Sequence, residues 1–150
     1  MADYAGAMAA IEARLEALWA ETPIGFENDE APIIIDDDGN YQPWVSCEIL
    51  TDRSRIRSVG RPGDHVNVLD GTILLTLFVR RNSGRAEARG MASRLAEIFR
   101  TQVFYQVGDG VYVRTWTPEI GPGNPANSEN PTGSWWAISI MTPFEFFHRA

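Results

Sequence analysis

The densest group of oxygen ligands in this chain is Asp36-Asp37-Asp38-Gly39-Asn40, and its types invite a calcium reading. The spacing argues against it. A twelve-residue calcium loop starting at Asp36 places Tyr41 where glycine is required and Cys47 where a bidentate glutamate belongs. Putting Gly39 at the glycine position makes Ile34 the first ligand and Val45 the last. The stretch from Gly121 to Ala126, Gly-Pro-Gly-Asn-Pro-Ala, loosely matches a dinucleotide fingerprint. Pro122 and Pro125 remove backbone donors that should face a pyrophosphate, and no helical pattern follows. His65 and His148 stand apart from any serine, cysteine or carboxylate pattern suited to nucleophilic catalysis, and with Cys47 they make a poor zinc set. The expectation is a protein that is not an enzyme and uses no metal or cofactor.

Charge is the more informative chemistry. All thirteen basic residues are arginine, whose planar fork pairs with carboxylates and stacks on aromatic rings. Arg53, Arg55 and Arg57 alternate, so an extended backbone projects them to one side, with Arg61 close behind. Two readings stand: a solvated edge that discourages aggregation, or an arginine row that meets an acidic surface. The natural counterpart is the acidic region Glu27, Asp29, Glu30, Asp36, Asp37 and Asp38, six acids within twelve residues. Unlike patches on one chain can pair head to tail between copies and close into a ring. A net charge of −7 argues against dedicated nucleic-acid binding.

These residues must be held by a scaffold. A length of 150 residues suits one domain, which can bury enough surface to fold without disulfides. Cys47 has no internal partner and reads as a small buried apolar residue of a reducing compartment. The N-terminal segment lacks a basic start, so no secretory leader or membrane span is expected and synthesis is placed in the cytoplasm. Tyr4, Met8, Ile11, Leu15, Leu18 and Trp19 form one helical stripe ending before Pro23. Residues 22–32 read as a loop, 33–35 as a short strand, 36–40 as a turn and 44–50 as a strand. Residues 51–70 read as irregular, with one or two short strands and a mobile loop.

Ile73, Leu74, Leu75, Leu77, Phe78 and Val79 suit a strand buried on both faces. Ser83 is placed to cap a second helix whose stripe is Ala88, Met91, Ala92, Leu95, Ile98 and Phe99. Residues 103–107 and 111–116 form a hairpin around Gly108-Asp109-Gly110. Residues 118–133, with four prolines and three glycines, read as a long functional or disordered loop. Within it Pro118, Asn124, Asn127 and Glu129 join the interface candidates. A last strand spans 134–142, with Pro143 marking a change. The predicted class is α+β, two amphipathic helices on a mostly antiparallel, mixed sheet in the order α-β-β-(β)-β-α-β-β-loop-β.

The chain resembles the tail terminator, or tail completion, family of long-tailed bacteriophages, the lambda type, which also occurs in gene transfer agents. The resemblance is carried by Leu18-Trp19 with Thr22-Pro23-Ile24, by Trp44-Val45-Ser46-Cys47-Glu48-Ile49, by residues 71–99, and by Trp136-Ala137-Ile138-Ser139-Ile140 with Pro143-Phe144-Glu145-Phe146. It implies a hexameric ring at the head-tail junction of a virion or phage-like particle. That ring caps the tail tube, stops its polymerisation and offers a surface to the head-side neck or connector protein. Its partners are other copies of itself, the tail tube protein and the neck protein. DNA is met only in transit, and an acidic lining would avoid holding it. Related alternatives are a head-tail adaptor or a tail tube subunit. A different class, a small-molecule-binding module, would use Trp44, Trp116, Trp135 and Trp136 as an aromatic pocket.

Overall fold

A computed structural model describes residues 3–126 and 135–149. Helix α1 spans Tyr4–Leu18 and begins where the Asp3 carboxylate accepts the Gly6 N–H at 2.7 Å. Ala7, Met8, Ile11 and Leu15 are buried, whereas Tyr4 and Leu18, at the ends of the expected stripe, are exposed. Trp19 leaves the helix in an extended conformation yet stays buried, its indole donating to Thr22 Oγ1 at 2.8 Å.

The first strand, β1 (Ile24–Phe26), falls inside the segment expected to be a loop and pairs in parallel with Val45–Cys47 of β2 (Trp44–Ile56). Three residues are too few to show a period. Residues 33–35 form no strand, only a bridge between Ile35 and Tyr41 across the turn. The irregular segment expected over 51–70 is instead a continuation of two long strands, β2 and β3 (Val66–Arg80), which pair antiparallel with a bulge between Thr51 and Ser54. Its polar composition reflects one solvated strand, because every β2 residue from Leu50 to Ile56 is exposed.

Helix α2 (Arg85–Glu97) is capped by Gly84 at φ 103°, not by Ser83, whose hydroxyl donates back to the Arg80 carbonyl at 2.6 Å. All six residues of its expected stripe are buried. The hairpin follows as β4 (Val103–Gly108) and β5 (Val111–Thr115). Thr115 is buried, takes the Gln102 N–H at 2.9 Å and donates to the Phe99 carbonyl, which fixes the exit of α2 to the hairpin. The expected long loop carries two short strands, β6 (Glu119–Ile120) and β7 (Asn124–Ala126), both paired with β8 (Trp135–Arg149).

Strand β8 runs straight through Pro143. The Pro143 carbonyl accepts the Trp116 N–H at 2.9 Å, so the missing proline donor points to the edge where the neighbour changes from β5 to β6. The sheet order is β1-β2-β3-β8-β5-β4, with β6 and β7 also on β8. The fold is thus α+β, with helices on a mixed, mostly antiparallel sheet.

Alternation gives the sheet two unlike faces. Val45, Cys47, Ile73, Leu75, Leu77, Val79, Ile138, Ile140 and Phe144 join the buried residues of both helices in one core. Trp44, Leu74, Thr76 and Phe78 look the other way and are only half-buried, so β3 is covered fully on one face rather than both. Among the described residues no helix is long and apolar enough to cross a membrane.

Two outcomes follow from this packing. A Cβ on Gly71 would stand 2.6 Å from both the Leu50 carbonyl and the Phe144 ring, so Gly71→Ala is expected to lower stability by about 1–3 kcal/mol in urea unfolding. Burial, reinforced by Glu12, Glu27 and Glu48, pushes the Cys47 thiol up to about 12. Its thiolate is therefore scarce at neutral pH, and a thiol reagent should label the folded protein only at the rate at which it opens.

Candidate interaction surface

The arginine row lies at the far end of the β2–β3 hairpin, on the face without helices. Arg53 occupies the bulge, where two residues of β2 face one of β3. Arg55 pairs with Asp70 at 3.1 Å and reaches Glu145 at 3.6 Å, and Arg57 pairs with Glu145 at 3.1 Å. These two side chains, which the alternating pattern offers to an outside acidic surface, are engaged by carboxylates of their own chain. Both keep an outer part in water, at 41% and 47% side-chain exposure. Arg61 is exposed in the hairpin turn, where its carbonyl accepts the Asp64 N–H at 3.0 Å.

Glu145 is the centre of this arrangement. It points away from the core between Phe144 and Phe146, yet is only 9% exposed because Arg55, Arg57 and Trp116 close over it. Its second oxygen accepts the Trp116 indole N–H at 3.0 Å, and the Arg114 guanidinium lies 4.1 Å from the Trp116 ring centroid. Both carboxylate oxygens are thereby engaged within the chain. This is a charge-assisted clamp that braces the β2 arm against β8 and β5. Sequence reading missed Glu145, Asp70 and Trp116 as partners of the row. The available signal was a lone carboxylate inside the apolar run Phe144-Glu145-Phe146-Phe147, which alternation must turn to the opposite face from its neighbours.

The acidic region lies at the other end of β2. Glu27 accepts the Ile49 N–H at 3.1 Å, extending the short β1 pairing with a side chain. Asp29 accepts the Glu30 N–H at 2.8 Å, and Glu30 is itself exposed. Asp36 accepts the N–H groups of Asp38 and Asn40 at 3.0 and 2.9 Å, while Gly39 takes φ 80° to close the turn. Asp37 and Asp38 are exposed. The acidic segment thus runs beside the first half of β2, from its start to Ile49, and the arginines follow from Arg53 onward.

The remaining candidates do not join either end. Pro118 is buried, which removes it as a contact surface, and exposed Asn124 donates to the Pro122 carbonyl at 3.3 Å. Asn127 and Glu129 lie outside the described residues. The four tryptophans do not converge. Trp44 stacks on Phe78 at 4.4 Å, Trp135 meets the edge of Tyr41 at 5.8 Å, Trp116 belongs to the Glu145 clamp, and Trp136 lies beneath Gly123.

No family model matches the chain, and no curated protein matches it. A solved structure of another protein is similar over 93% of this chain and 92% of that one, with a TM-score of 0.61 and 14% sequence identity. At that identity the likeness shows the fold alone.

Removing the Glu145 carboxylate strands the Trp116 N–H and the Arg57 guanidinium, while Arg55 keeps Asp70. Glu145→Ala is expected to cost about 1–3 kcal/mol in urea unfolding, and Glu145→Gln, which keeps an acceptor for the indole, measurably less.

Proposed function

We propose that this chain is a structural assembly protein, a tail terminator that closes into a hexameric ring on a finished tail tube. The ring stops polymerisation of the tube and presents the attachment surface for a head-side neck protein, in a bacteriophage or a gene transfer agent. The observation that carries this reading is the segregation of charge along β2: the acidic segment 27–38 flanks its first half, and Arg53, Arg55 and Arg57 follow at its far end. Unlike ends on one rigid chain suit heterologous contacts, which close into rings when the rotation permits. The resemblance in element order supports the same reading, as does the exposure of seven consecutive β2 residues beside a short edge partner. With −7 on each copy, such a ring would repel DNA passing through it.

The test is incubation of the labelled chain with purified tail tubes, followed by electron microscopy. One label cluster per particle, at the head-proximal end of the tube, is expected. Label along the whole tube would make it a tube subunit, label on heads alone an adaptor, and failure to bind tube ends would overturn the terminator reading.

A further inference from the structure

The acidic region also carries an apolar ridge. Ile33 is 80% exposed and Ile35 45%, within a segment bounded by Asp29 and Glu30 on one side and Asp36, Asp37 and Asp38 on the other. Exposed isoleucines between carboxylates form a surface suited to an apolar floor with a basic rim. The ridge belongs to the helix-free side of the sheet. Pro32 sits over Gly25, where a Cβ would be 3.3 Å from both Pro32 and Trp44, and Tyr41 packs against Trp135.

A groove of matching character lies on the helix-bearing side. It has a volume of about 690 Å³ and runs between the first turns of α2 and the β6–β7 connection. That is a size at which proteins hold ligands, about 300–1,000 Å³. Its floor is formed by Ala88, Ala92, Ile120, Trp136 and Ile138. One wall is backbone pressed on an indole, since a Cβ on Gly123 would come within 2.1 Å of Trp136 Nε1. Arg80, Arg85 and Arg89 stand on its rim, exposed, and none makes an ion pair among the described residues. Asp36 and Glu87 line a smaller groove beside Arg80. Arg85 and Arg89 are left as the cations facing outward.

We infer that this groove receives residues 33–38 of a second copy of the chain. Ile33 and Ile35 enter the apolar floor, and Asp37 and Asp38 meet Arg85 and Arg89. Because ridge and groove are two different patches of the chain, each copy can receive one neighbour and enter another, the head-to-tail relation that builds a ring. The contact rests on the self-assembly part of the proposed function, and it takes the place of Arg55 and Arg57, already engaged by Glu145 and Asp70, as the basic partner of the acidic segment.

The test is a benzophenone photocrosslinker at position 33 of the full chain, irradiated alone and on tail tubes, with the cross-linked peptides mapped by mass spectrometry. Cross-links between copies that end at residues 85–92, 120–123 or 136–138 are expected. Arg85→Glu with Arg89→Glu should reduce their yield at least tenfold, as should Asp37→Arg with Asp38→Arg, and combining all four should restore it. All four positions are exposed, so folding is spared. Cross-links confined to one chain, cross-links ending elsewhere, or charge reversals without effect overturn the inference. Groove cross-links in a chain that ignores tube ends leave this contact standing and overturn the terminator reading; tube-end binding with cross-links elsewhere does the reverse.

Discussion

Fifteen successive residue pairs join β3 to β8, from Val66 opposite Arg149 to Arg80 opposite Trp135. The rest of the molecule depends on that register. It sets Leu75 beside Ile140 and Leu77 beside Ile138 on the side that receives both helices, and Asp70 beside Glu145 on the side that does not. A slip by one residue would turn the buried row to water and bring a carboxylate pair into the core. The pairing is held on both sides by apolar contact and at its far end by arginines, so hydrophobic burial and ion pairing specify the same alignment.

The clamp around Glu145 shows how an edge arm is managed. Strand β2 leaves its short partner β1 after Cys47 and continues as far as Ile56. An extended edge of this kind is a template for unwanted pairing. A bulge and alternating arginines interrupt it, and two of those arginines are drawn down onto Glu145 and Asp70. Surface ion pairs taken singly contribute little. Here the acceptor is almost fully covered and also holds an indole N–H, so the group is bound more firmly than any single pair. Charge that reads in the sequence as available to a partner is in part internal structure. Among the described residues, Arg85 and Arg89 on the first turns of α2 make no ion pair.

Much of the scaffold was legible from local pattern. The stripe of α2, the Gly108 to Gly110 turn and the core strand from Ile73 all depend on neighbours three or four residues away, or two. What escaped depended on distant partners. Residues 24–26 form a strand only because Val45–Cys47 lie alongside. Residues 52–56 look irregular in composition but are held extended by β3. Ser83 has the chemistry of a helix cap, yet Gly84 takes that place because the turn requires a positive φ there. Pro143 fails to end its strand because its missing donor falls at a change of neighbour.

By itself the sequence determined the class of the fold, two amphipathic helices with alternating strands, and the separation of acid from base along the chain. These are properties of composition and short-range spacing, which act before any long-range contact exists. Tertiary structure alone decided which charges are spent within the chain and which face outward. Whether an arginine has a partner depends on the strand brought beside it, as Glu145 is brought to Arg57 from 88 residues away. Only the packing of α2 against β6 and β8 turned small apolar residues, a tryptophan and three arginines from separate segments into one groove.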